Sequence, residues 1–113
     1  MTVTRLFADS TGESHLEDVG DAGAPSPFDE SRPASAIRFM VLAASDGPGA
    51  WHPAPRRQLV VWMKGSSDVE TSDGSRRRVG PGDALICEDV AGRGHRNHHH
   101  DEIHAVFVQL DDA

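Results

Sequence analysis

The strongest constraint on this chain is the spacing of its turn signals. Through its second half, clusters of Gly, Pro, Asp and Ser recur at intervals of about 8–12 residues, and no stretch of about ten residues carries a helical period of apolar side chains. Short runs rich in β-branched and apolar residues lie between the clusters. Residues 36–44 form one and stop at Ser45-Asp46-Gly47-Pro48-Gly49; residues 59–63 form another, closed by Gly65. Residues 68–71 and 76–79 flank Ser72-Asp73-Gly74, whose Asp-Gly step predicts a hairpin. Gly80-Pro81-Gly82-Asp83 turns the chain into residues 84–87. Residues 103–110 alternate, with Ile103, Ala105, Phe107 and Gln109 on one face and His104, Val106, Val108 and Leu110 on the other. Near the start, residues 2–7 read as a strand, and residues 13–19 as a second, more polar one. The pattern predicts an all-β sandwich or barrel, with apolar faces on both sides of several strands.

With 113 residues there is room for one core, so residues 1–35, two strands and a Gly/Pro-rich loop, are assigned to the same domain as a barrel over residues 36–113. The loop over 20–33 is long for a compact domain, and a lid over a pocket is one role for it. A small β domain gains from covering an outer face with a second copy, so a homodimer is expected. The net charge of −7, from 18 acidic against 11 basic side chains, repels a phosphate backbone and argues against nucleic acid as a partner. Arg76-Arg77-Arg78 reads as a solvated strand end. No apolar run reaches the roughly 20 residues of a membrane helix. One cysteine, Cys87, and the lack of a basic-then-apolar leader lead to the expectation of a cytoplasmic protein, with Cys87 a small buried hydrophobe.

The segment Trp51-His52-Pro53-Ala54-Pro55-Arg56-Arg57-Gln58, closed by Gly65, and later Pro81-Gly82-Asp83 with Gly92-Arg93-Gly94-His95, resembles the two motifs of the cupin superfamily. The first motif has the form His-x-His, three or four residues, Glu, six residues, Gly. His52 and Gly65 match it, Ala54 stands at the second histidine, and Gln58 stands at the glutamate. In the second motif His95 matches, Val90 occupies the usual proline and His99 the usual asparagine. Gly12-Glu13-Ser14-His15 adds a likeness to small bacterial single-domain cupins of unassigned chemistry. The resemblance spans residues 36–110. It implies a jelly-roll barrel with the N-terminal strands added to one sheet, while the activities found on that fold range from dioxygenases and isomerases to sugar-binding domains.

By that resemblance His52, Gln58 and His95 converge in the barrel interior, where cupins with three histidines and a carboxylate bind a metal. Two imidazoles and a neutral amide are a depleted set, although some metal-dependent cupins of lyase type carry glutamine at that position. His15, His98, His99 and His100 are the candidates to complete it. For the His98-His99-His100 run a solvent-facing loop is the plainer expectation, because successive residues point in opposite directions.

The leading expectation is a small-molecule enzyme without a required cofactor, in which His52 and His95 act as general acid and base and Gln58 orients a substrate beside a carbonyl. Isomerisation, cyclisation, dehydration and lyase chemistry fit such a pair. The alternatives are a metal-dependent dioxygenase or lyase holding Fe, Mn, Ni or Zn on His52, Gln58 and His95, and a non-catalytic cupin that binds a small ligand. Val60 and Trp62 share the Gln58 face and, with Met40, Arg57 and Glu88, are candidate substrate contacts. Trp62 as core, Arg56 and Arg57 as solvated or dimer-contacting, and Glu88 or Asp89 as an exposed turn remain open, as does either acid orienting an imidazole. Trp51 is expected to point away, toward the rim.

Overall fold

The computed structural model describes residues 2–20 and 31–111, which contain nine strands and no helix. In chain order these are β1 (Val3–Ala8), β2 (Ser14–Gly20), β3 (Ala34–Leu42), β4 (Gln58–Lys64), β5 (Ser67–Thr71), β6 (Arg76–Val79), β7 (Ala84–Cys87), β8 (His95–His99) and β9 (Ile103–Leu110). They form a six-stranded sheet, β2-β1-β7-β4-β9-β3, and a three-stranded sheet, β6-β5-β8. β1 joins β7 in parallel and β2 in antiparallel, so the N-terminal strands extend the large sheet. The predicted hairpin joins β5 to β6, its Asp73 side chain accepting hydrogen bonds from Thr71 Oγ1 (2.6 Å) and Ser75 N (2.9 Å). The fold is an all-β barrel of cupin type.

Between the sheets lies a core that includes Leu6, Val60, Trp62, Val69, Val79, Leu85 and Ile103. Truncating fully buried Leu6 or Ile103 to Ala removes about 2–5 kcal/mol of stability. A second apolar cluster, Val3, Ala84, Ile86 and Leu110, lies on the other face of the large sheet. β7 is buried on both faces because Leu85 and Cys87 belong to the first cluster and Ala84 and Ile86 to the second. Among the described residues, edge strand β3 pairs only with β9 and exposes Ile37, Phe39 and Val41. Gly65, with φ of +79°, must be glycine, since a Cβ there would sit 2.4 Å from the Glu102 carbonyl oxygen.

Two expectations change. The strand expected over 36–44 begins and ends earlier, at Ala34 and Leu42, and the loop expected around His98 is instead the end of strand β8. Polar on both faces, β8 has no apolar alternation, yet it pairs with β5 from Ser67↔His99 to Thr71↔His95. Most of the 20–33 loop, and with it the lid expectation, lies outside the described residues. No helix among the described residues is long and apolar enough to cross a membrane.

Candidate functional site

A cavity of about 470 Å³ opens between the sheets. Its walls include Arg38, Met40 and Leu42 from β3, Gln58, Val60 and Trp62 from β4, and His95, Asn97 and His99 from β8, with His52 and Ala54 from the segment before β4. His52, Gln58, His95, Val60, Trp62 and Met40 are therefore brought together. Arg57 and Glu88 are not: they face away from the cavity and pair with each other, Arg57 Nε lying 2.9 Å from one Glu88 oxygen while Arg5 Nε lies 2.6 Å from the other. Burial pushes the Glu88 carboxyl up, but the hydrogen bonds from Arg5 and Arg57 outweigh it and hold the group below its ordinary range. Arg56 donates to Gln109 Oε1 outside the cavity, and Trp51 stands exposed under the Arg96 guanidinium, 4.8 Å from the ring centre.

His52 and His95 face each other across a two-residue bridge in which each backbone N–H donates to the other's carbonyl at 2.9 Å. Their rings lie 4.6 Å apart, His52 exposed at the mouth and His95 buried. Gly94 makes this approach feasible. It has φ of +75°, and a Cβ on it would lie 2.1 Å from the His52 carbonyl carbon and oxygen. The early Gly12-Glu13-Ser14 segment secures the same turn: Arg93 N donates to Gly12 O at 2.9 Å and the buried Ser14 hydroxyl donates to Gly94 O at 2.6 Å.

The tautomers follow from the partners. His52 Nδ1 lies 3.0 Å from the Ala50 carbonyl and His95 Nδ1 lies 2.6 Å from Asp89 Oδ2. A carbonyl and a carboxylate only accept, so both Nδ1 atoms carry hydrogen, and in the neutral rings the lone pair is on Nε2. Of the two acids before the Gly-rich turn it is Asp89, fully buried, that orients an imidazole; its second oxygen is buried without a partner among the described residues.

His99 is a third imidazole in the cavity. Trp62 Nε1 donates to Ser67 Oγ at 3.1 Å, and that hydroxyl lies 2.8 Å from His99 Nδ1. A hydrogen bond donated by the Ser67 hydroxyl to Nδ1 satisfies all three groups and leaves the His99 hydrogen on Nε2. Burial, followed by the nearby His98 and His100, holds His99 below the ordinary histidine range. The cavity thus has two imidazole acceptors at one end and a neutral imidazole donor about 13 Å further along the same strand. His15 contributes nothing to it, lying between Asp9 (2.7 Å) and Asp73 (3.0 Å) on the surface. Cys87 lines the cavity wall, but burial, with Asp89 and Glu88 nearby, pushes its thiol far above the usual range.

The interior donors are a depleted set for a metal. Buried Ala54 stands where a third imidazole would be, Gln58 brings no charge, and the nearest carboxylate is spent on His95 Nδ1. Among the described residues, the one group of three His, Cys, Asp or Glu donors within 4.8 Å of one another lies elsewhere, on the outer surface.

No protein-family model matches the chain, and no curated protein sequence matches it significantly. Two solved structures share its architecture. Protein NMB1881 from Neisseria meningitidis has a TM-score of 0.54 and 15% identity, over 80% of this chain and 91% of that one. A Salmonella typhimurium LT2 protein provisionally assigned as ethanolamine utilization protein Q has a TM-score of 0.51 and 13% identity, over 97% of this chain and 95% of that one. At such identities the likeness shows the fold alone, a cupin-type barrel.

Proposed function

We propose that the chain is a small-molecule enzyme that moves a proton at a carbon beside a carbonyl, as an isomerase, cyclase, dehydratase or lyase. The observation that carries this reading is the pair of imidazoles whose Nδ1 hydrogens are tied to Ala50 O and Asp89, with both Nε2 lone pairs left free. In the proposed step His95 Nε2 takes the proton from the substrate carbon, and Asp89 at Nδ1 supplies the counter-charge to the imidazolium. The electron pair moves toward the carbonyl oxygen, where the Gln58 amide donates a hydrogen bond. The proton then returns from the His95 imidazolium to a neighbouring substrate atom, which restores the neutral ring, with His52 Nε2 at the cavity mouth able to take the same role from the opposite side in its place. Arg38 on the cavity wall has no ion-pair partner among the described residues and suits a substrate carboxylate. The cavity volume suits a small organic acid.

The test is proton exchange in D₂O with a panel of small keto and hydroxy acids, followed by NMR. Deuterium uptake at the carbon beside the carbonyl is expected with the native chain, falling by about 10²–10⁴-fold in His95→Ala and His52→Ala. Exchange that survives both substitutions removes the acid/base reading. Binding in the cavity without exchange replaces it with the non-catalytic one.

A further inference from the structure

The function proposed above leaves the other half of the histidine run unused. Along β8 side chains alternate, so His95, Asn97 and His99 enter the cavity while Arg96, His98 and His100, just past the strand end, share the outer face. Directly across the ladder from His98 stands Asp68 of β5. The His98 and His100 rings are 4.2 Å apart, and His100 Nε2 lies 2.9 Å from Asp68 Oδ2. One ligand atom from each of the three residues falls within 4.8 Å of the others.

We propose that Asp68, His98 and His100 form a divalent-metal site on the outer face of the small sheet, for an imidazole-preferring ion such as Zn²⁺, Ni²⁺ or Cu²⁺. Two imidazoles and one carboxylate are the donor set such ions take, with a fourth position left to water. Metal–nitrogen distances of about 2.0–2.1 Å require the three donor atoms to close in somewhat, which side-chain rotation at this partly exposed surface provides. Asp68 is already oriented: Arg78 Nε holds its Oδ1 at 2.6 Å, leaving Oδ2 for the ion, as outer partners do around metal-bound carboxylates. The neighbouring acid, Glu70, is held by Arg96 at 2.9 and 3.2 Å and is not drawn in. An ion here ties β5 to β8 at the end where His99 enters the cavity.

The experiment is calorimetric titration of the untagged, metal-free chain with Zn²⁺, then Co²⁺ absorption to read coordination. One equivalent is expected to bind the native chain and the His52→Ala/His95→Ala variant alike. Affinity is expected to fall at least tenfold in His98→Gln, His100→Gln and Asp68→Asn, with thermal melts in the absence of metal close to native. Asp68→Asn keeps the side-chain shape and guards against a folding artefact. No binding at 100 µM Zn²⁺, unchanged affinity in the His98→Gln/His100→Gln double variant, or loss of binding in the interior variant would each overturn the proposal.

Discussion

The two faces of β8 are built from the same residue types and have opposite chemistry. On the inner face, imidazoles are separated by enclosure and by individual partners: His95 has Asp89, and His99 has Ser67 backed by Trp62. On the outer face, two imidazoles touch each other and one of them, His100, bonds the Asp68 carboxylate. Alternation along one strand is enough to put the cavity proposed for proton transfer on one side and the surface proposed to bind a cation on the other. What distinguishes them is the partner each ring is given, since the ring itself is the same.

The largest effect expected from that contrast is functional separation. His95→Ala should lower proton exchange by about 10²–10⁴-fold and leave zinc affinity within a factor of two, while His98→Gln should do the reverse. Chelation should likewise strip the outer ion and leave exchange intact. Paired exchange rates and calorimetry check this; exchange that dies on chelation would collapse the two faces into a single metal-dependent site.

Gly94→Ala comes next. A Cβ 2.1 Å from the His52 backbone, at a positive φ, cannot be relieved by rotating a side chain, and the cost should be about 3 kcal/mol. Urea unfolding measures the loss. The inner pair should be disrupted while the outer site, further along the strand, still binds Zn²⁺ in the folded fraction. Ser67→Ala should cost less, about 1–2 kcal/mol, because it leaves the buried Trp62 N–H without its acceptor.

Legibility in the sequence follows the same division. β4, β5, β6, β7 and β9 were readable because each has an apolar face or a turn of defined chemistry at its end, and Gln58, Val60 and Trp62 could be placed on one face by counting in twos. β8 is hidden because its five residues are polar on both sides; the antiparallel ladder with β5 makes a strand of them. Read as consecutive residues, the histidine run cannot all face one ion. Alternation does part them, but it also brings His98 and His100 together, and the Asp68 opposite them is set by register, which the sequence does not display. Nearness to Gln58 and His95 in the chain points Arg57 and Glu88 toward the site. Each instead found the other outside the cavity. Asp89 could be named as one of two candidates to orient an imidazole, but not chosen over Glu88 without the fold.

The smallest effect tests whether the faces are electrically independent. His99 is held below its ordinary value of 6.5 by burial first and by His98 and His100 second. The unfolded chain therefore binds the proton more readily, so the stability His99 contributes is present above pH 6.5 and is lost as pH falls through its folded value. Surface His15 has the opposite sign: its hydrogen bond to Asp9 raises it, so its contribution is present below pH 6.5 and lost as pH rises through its folded value. Substituting His98 and His100 with Gln removes the secondary cause for His99 and leaves burial in place. Its NMR titration midpoint should move up and stop short of the ordinary value, with His15 unchanged. A midpoint that does not move would mean that the strand insulates the cavity from charge on the outer face, and that an ion bound there would reach His99 only by fixing the position of β8.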